Sequence, residues 1–202
     1  MINRRIIITE SERLDILKQY KNPTFVTSNK LKRDEFKKYM PTIKITKGED
    51  IEEVMGTKDD VIIYKAIDAG EGYVVEDTIL NVNGLDVIDI KWKADELNET
   101  DKVIWVVSLG YNDGENISVY RGSVEGKIKN RTDGRKEYGF GLKFYPHGYD
   151  KPIDDIEKDM YYYGARRIAI NNFKNKKPLY VVKIANVPPW NGKYQGQWNN
   201  PL

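Results

Sequence analysis

The 202-residue chain contains no cysteine and a single histidine, His147. The first absence excludes disulfides, cysteine nucleophiles and zinc–thiolate centres. The second excludes a serine–histidine triad unless His147 itself serves, and its setting, "YPHGYD", reads as an exposed turn. An excess of one charge is also missing: 33 Lys and Arg face 31 Asp and Glu, a net charge of +2. A general nucleic-acid binder shows a lopsided basic excess, so no nucleic-acid partner is expected. Long apolar runs are missing too. Nothing approaches the roughly 20 residues of a membrane span. The start, "MINRRIIITESERLD", turns charged too soon for a signal peptide. A cytoplasmic protein with no membrane partner is the expectation. Lys, Asn, Ile and Tyr are abundant, as in AT-rich genomes, which adds a viral protein acting in the host cytoplasm to the expectations. On an Asn-rich chain, the N-x-[ST] triplets at Asn98, Asn116 and Asn130 read as accidents.

What is present alternates between two periods. "RIIIT", "PTFVT" and "TIKIT" read as short strands. "SERLDILKQYK", with Ser11 as N-cap, reads as a helix, as does "KLKRDEFKKYM", with Leu31, Phe36 and Met40 as its apolar stripe and Pro41 as its stop. "DDVIIYKAIDAG" is another helix, started near Asp59 or Asp60 and ended at Gly70. "YVVED" reads as a buried strand that ends in two acids. "KVIWVVSLGY" and "ISVYRGSVEGKIK" read as long strands, the second hinged at Gly122. "PIDDIEKDMYYYGARRIAINNF" holds one or two helices and "PLYVVKI" a last strand. Strands that interleave with helices early and run together later predict a mixed sheet in an α/β or α+β domain. Residues 1–186 form that domain, and 187–202, rich in Pro, Gly, Asn and Trp, form a tail without period.

Several clusters can carry chemistry. In "TFVTSNKLKRDEF" a strand runs into Thr27, Ser28 and Asn29, and Lys32 sits on the first turn of the next helix. Unpaired N–H groups at a helix start attract anions, so this turn can cup a phosphate with Lys32 pointing back at it. A plain capped turn with solvated lysines is the alternative. "DIEEVMG" carries Glu52 and Glu53 ahead of a helix bearing Lys65; surface acids are the alternative there. Glu76 and Asp77 are harder to dismiss, because burying unpartnered carboxylates is costly. Acids near phosphate-binding lysines point to magnesium, a hard cation that takes oxygen ligands and keeps water and phosphate in its shell. In "YGFGLKFYPHGY", Tyr138, Phe140, Phe144 and Tyr145 alternate with glycines and can stack a nucleobase or pack a strand edge. Arg166 and Arg167 can reach a phosphate or base, or form surface ion pairs.

The order of these pieces resembles the inosine triphosphate pyrophosphatase family. "FVTSNKLKRDEF" is similar to its "T-G-N-x-x-K" strand–turn–helix, with Thr27, Asn29 and Lys32 in register. "DIEEVMGTKDDVIIYKAIDA" matches the segment with its metal-binding glutamate and a substrate lysine, which fall on Glu53 and Lys65. "VVEDTILNVNGL" resembles "V-E-D-[ST]-G-L-x-V-x-A-L", which puts the catalytic, metal-binding aspartate on Asp77. "VYRGSVEGKI" and "YGFGLKFYPHGY" resemble two further motifs. The similarity spans roughly Phe25 to Phe173.

The resemblance implies an elongated two-lobed α/β fold, a mixed β-sheet with flanking helices of inosine triphosphatase-like (anticodon-binding/Maf-like) architecture. It implies a homodimer that hydrolyses a nucleoside triphosphate to the monophosphate and pyrophosphate with Mg2+. Glu53 and Asp77 then hold the metal, and Asp77 orients or deprotonates water. Lys32 and Lys65 neutralise phosphates with the Thr27–Asn29 turn, and Glu76 and Thr78 border the site. Tyr138, Phe140 and Arg166 are expected around the base. Departures concentrate there. Gly141 replaces the aspartate of "F-G-[WY]-D-P", Gly164-Ala165-Arg166 stands for "S-H-R", and Met160 aligns with an expected lysine. Ser28 also replaces a usual glycine, and the loop that follows "L-x-V-x-A-L" is shortened to "DVIDIKW". A base reader stripped of polar groups predicts altered base specificity. A nucleotide-binding protein without turnover is the alternative, and an interaction protein on an old enzyme fold is a third reading.

Overall fold

The structure, a computed structural model, describes residues 11, 23–48, 51–88, 90–93, 96–130, 140–156 and 164–195. The strand at "RIIIT" and, apart from Ser11, the helix after it lie outside these residues. The strands are β1 (Thr24–Val26), β2 (Lys44–Thr46), β3 (Tyr73–Val82), β4 (Leu85–Val87), β5 (Val103–Asn112), β6 (Asn116–Ile128), β7 (Phe144–Pro146) and β8 (Tyr180–Lys183). The helices are α1 (Lys30–Tyr39), α2 (Lys58–Ala69), α3 (Ile90–Lys93), α4 (Ile153–Ile156) and α5 (Ala165–Lys174).

The strands form one eight-stranded open sheet in the order β2-β1-β3-β5-β6-β7, with β4 beside β3 and β8 beside β6. β1 runs parallel to β2 and β3, and the remaining pairs are antiparallel. The expected mixed α/β sheet with flanking helices is what the chain forms. Side chains alternate across a strand, so β3 feeds both faces. Val75 packs with Ile62, Ile63 and Ala66 of α2. Val74 and Leu80 belong to the core that holds Ala165, Ile170 and Phe173 of α5. Among the described residues, no helix is long and apolar enough to cross a membrane.

Three local expectations are corrected. β6 does not hinge at Gly122. A Cβ there would lie 2.0 Å from the Ala165 carbonyl oxygen and 2.7 Å from the Ala169 nitrogen, so the glycine lets α5 approach the sheet. Leu31 is not part of a buried stripe but 71% exposed. α1 meets the core through Phe36, stacked on Phe25 with centroids 3.5 Å apart, and only partly through Tyr39 and Met40. Finally, β3 does not end at Glu76 and Asp77 but runs on to Val82.

The third correction opens the site. The parallel neighbour β1 pairs with β3 only as far as Phe25↔Val74. The antiparallel neighbour β4 joins the ladder at Leu80↔Val87. Between them Glu76 and Asp77 lie in mid-strand with no paired strand on that side among the described residues. The acids thus sit just past the C-terminal end of β1, the place where open sheets carry ligands.

Candidate active site

Below β1, Thr27 leads into the helix start. Asn29 is the N-cap of α1, and its side-chain oxygen accepts from the N–H groups of Leu31 at 2.9 Å and Lys32 at 3.3 Å. Asn29 N–H donates to Thr27 Oγ1 at 3.2 Å. Arg33, which the motif reading passed over, donates from Nη1 to the carbonyls of Ser28 at 2.6 Å and Thr27 at 3.2 Å. The turn is a capped one. The cap fixes the loop, and Lys32 projects from the same turn to reach Glu76 Oε1 at 3.3 Å.

Glu76 is fully buried and surrounded by donors. Arg166 Nε donates to its Oε2 at 3.1 Å and Thr78 Oγ1 to its Oε1 at 2.6 Å. Burial alone would raise its pKa, but Arg166, Lys32 and these hydrogen bonds outweigh burial and hold it at about 2. The carboxylate is therefore ionised and internally neutralised. Arg166 also pairs with Glu35 of α1 and lies over the Trp105 ring at 5.8 Å. Arg166, expected near the base, is thus engaged by two acids, Glu35 and Glu76. Glu35 is a partner that local spacing did not single out.

Asp77 is buried on the opposite face, toward α2. That helix starts with a capping box in which Thr57 accepts from the Asp60 N–H and Asp60 accepts from the Thr57 N–H. It places Lys65 in an ion pair with Glu53. Burial, reinforced by Glu53, pushes the Asp77 carboxyl up to about 6 against the pull of Lys65 and Lys32. For Lys65, burial opposes the charge, while Glu53 and then Asp77 restore it, and the net shift is upward. Glu53, Lys65, Asp77 and Glu76 thus interact as one group. A cavity of about 50 Å3, room for an ion or a water, is lined by Thr27, Ser28, Ile51, Glu53, Lys65 and Glu76. A larger open groove of 710 Å3 lies elsewhere, along the ends of β5, β6 and β7 beside His147, and contains none of these residues.

Glu53 and Asp77 fit a hard divalent cation. Two carboxylate oxygen donors beside each other raise the cost of ionising Asp77, which a cation would remove. Among the described residues, no group of three or more acids or histidines converges on one point.

Among the described residues of the aromatic stretch, Phe140 and Phe144 pack on the core. Phe140 lies edge-on to Trp105 at 6.4 Å and to Phe144 at 6.0 Å, against the main core. Tyr138 and Met160 lie outside the described residues. At Gly141, an ideal Cβ would lie 1.9 Å from Asp154 Oδ1, so the Asp154 carboxylate takes the space a side chain at 141 would need.

A buried acid that resists ionisation, beside lysines already committed to other acids, can take up both a cation and a polyanion. It is set beside the end of β1 in this mixed sheet. The chain belongs to the Ham1 family, whose model matches residues 24–176, the span in which the sequence motifs fall. It is similar in fold to the Ham1 protein of Staphylococcus aureus, with TM-score 0.55 and 22% identity over 75% of this chain and 96% of that one. It is also similar to a HAM1 protein from Coxiella burnetii, with TM-score 0.52 and 18% identity over 76% of this chain and 97% of that one. The resemblance to inosine triphosphate pyrophosphatases is borne out at the level of family and fold.

Proposed function

We propose that this chain hydrolyses a (deoxy)nucleoside triphosphate to the monophosphate and pyrophosphate, with Mg2+ held by Glu53 and Asp77. The observation that carries the reading is Asp77, a buried carboxylate held at about 6 at the open edge of β3, facing Glu53 and Lys65. When bound, the ion supplies charge stabilisation on phosphate oxygens and a nucleophilic water. The chain's own residues do the rest. Lys32 and Lys65 exchange their carboxylate partners for phosphate oxygens and neutralise the polyphosphate. The Thr27–Asn29 turn, fixed by its cap and by Arg33, holds the phosphates in register with β3. Asp77 orients the attacking water and accepts its proton. Water adds across the α–β anhydride, the bridging P–O bond breaks, and pyrophosphate leaves. Glu76, which keeps Arg166 and Thr78 as partners when Lys32 turns to phosphate, is a positioning acid rather than a base.

Base specificity differs from the purine pattern of the family. The support is that Arg166 is engaged by Glu35 and Glu76, that Phe140 packs on Trp105, and that Asp154 fills the space beside Gly141. The reading also carries a homodimer in solution. Incubation with a panel of purine, pyrimidine and modified nucleoside triphosphates tests the function. Monophosphate and pyrophosphate in equal amounts from at least one of them is expected, and none from any would refute it.

A further inference from the structure

The stretch from Ile51 to Gly56 carries Glu53 yet forms no helix and no strand of the sheet. What fixes it is residues 188–195. Met55 N–H donates to the Lys193 carbonyl and Gln195 N–H to the Glu53 carbonyl, both at 2.8 Å. Val54 and Tyr194 pair as an antiparallel bridge, and Gln195 Nε2 adds a bond to the Val54 carbonyl at 3.2 Å. Side chains hold this pairing in place. Trp190 meets Tyr64 of α2 at 5.2 Å, ring edge to face, and the Tyr64 hydroxyl donates to the Pro188 carbonyl at 2.6 Å. Trp190 Nε1 in turn donates to the Lys193 carbonyl at 3.0 Å. Gly56 makes room: a Cβ there would lie 2.7 Å from Asp60 Cβ and 3.0 Å from the Trp190 ring. All these C-terminal residues lie beyond the span matched by the Ham1 family.

We propose that residues 188–195 form a strap that positions Glu53 for its part in the site, with Trp190 and Gln195 as positioning residues acting through the backbone of 53–55. The proposal rests on the pyrophosphatase reading. Glu53 is held from two sides, by Lys65 at its carboxylate and by the strap at its main chain. Released from the strap, the loop spreads over many positions and only a fraction place the carboxylate beside Asp77. Catalytic geometry is sensitive to displacements on the order of 1 Å. Substrate phosphates, gripped by Lys32 and the Thr27–Asn29 turn, are left in place.

The test uses the full chain with Trp190→Ala, Trp190→Phe and Gln195→Pro, the last removing the N–H that serves the Glu53 carbonyl and the side-chain bond to Val54 while restricting the backbone at 194 and 195. Amide exchange at Met55 is read by NMR without metal, and pyrophosphate release is read against magnesium concentration. Trp190→Ala and Gln195→Pro are expected to speed Met55 exchange about tenfold and to raise the half-saturating magnesium concentration about fivefold. Nucleotide KM at saturating magnesium stays within about twofold, and Trp190→Phe recovers most of the loss. Should Trp190→Ala fail to fold, Gln195→Pro carries the test alone. Freed Met55 with an unchanged magnesium dependence overturns the proposal, as does a Met55 amide unprotected in the wild type. A wild type that releases no pyrophosphate from any nucleotide refutes the pyrophosphatase reading and the positioning role with it; Met55 exchange still reports whether the strap holds the loop.

Discussion

Glu76 and Asp77 are consecutive in β3 and serve opposite faces of the sheet. Glu76 turns to Arg166 of α5 and Lys32 of α1, while Asp77 turns toward Lys65 of α2 and Glu53. Period-two alternation makes this division unavoidable. Its consequence is chemical: one carboxyl is held at about 2 and its neighbour at about 6. In the proposed function the first is the structural acid and the second the reactive one.

Asp77 is costly to ionise, so its replacement should separate stability from activity. A folded-state pKa raised to about 6 gives stability that is complete below the unfolded value and lost as pH rises through 6. Asp77→Asn is therefore expected to stabilise the metal-free protein at pH 8, by on the order of 2 kcal/mol, and to leave it unchanged at pH 4. Pyrophosphate release should fall by roughly a hundredfold or more. Urea unfolding in EDTA at both pH values, with initial rates at pH 8, checks both parts.

Glu76 carries the opposite sign. Its pKa is depressed, so its contribution is present above the unfolded value near 4.5 and lost as pH falls through about 2. Glu76→Gln leaves Arg166 and Lys32 short of a buried counter-charge and should cost on the order of 3 kcal/mol at pH 7. Denaturant midpoints at pH 7 and pH 2.5 should differ between wild type and variant mainly at the higher pH.

Removal of metal should abolish turnover, and restoration of Mg2+ should recover it. The ion competes with a proton at Asp77, so the rise in Tm on adding Mg2+ should be larger at pH 8 than at pH 5. Thermal scans at the two pH values, with and without EDTA, measure this. An equal rise at both would place the ion away from Asp77.

Much of this was legible in the residues. α2 announces itself through Asp59, Asp60, an apolar run and Gly70, though its Thr57 cap was not read, and the turn at Thr27–Asn29 through a strand that meets a cap. The reach of β3 was missed although "TILNV" after the acids is ordinary strand sequence, while the early end of β1 was not legible because it depends on pairing elsewhere. The partners of Arg166 were hidden by distance: Glu35 and Glu76 lie far away in sequence, and a guanidinium carries no mark of which carboxylate it will meet. The strap was hidden for another reason. It acts through backbone N–H and carbonyl groups, which every residue but proline has in full.

Phe140 should behave as a core residue. Phe140→Ala is expected to cost about 2 kcal/mol, since the ring is only partly buried against Trp105 and Phe144, and to leave nucleotide KM within about twofold. Chemical denaturation and steady-state kinetics check the pair of outcomes.

The most direct measurement is phosphorus NMR of nucleoside triphosphates incubated with Mg2+ and either the wild-type chain or Asp77→Asn. Wild type is expected to yield monophosphate and pyrophosphate in equal amounts from at least one nucleotide, and the variant almost none. Orthophosphate as the first product, or equal turnover by both chains, would contradict a site built on Glu53 and Asp77.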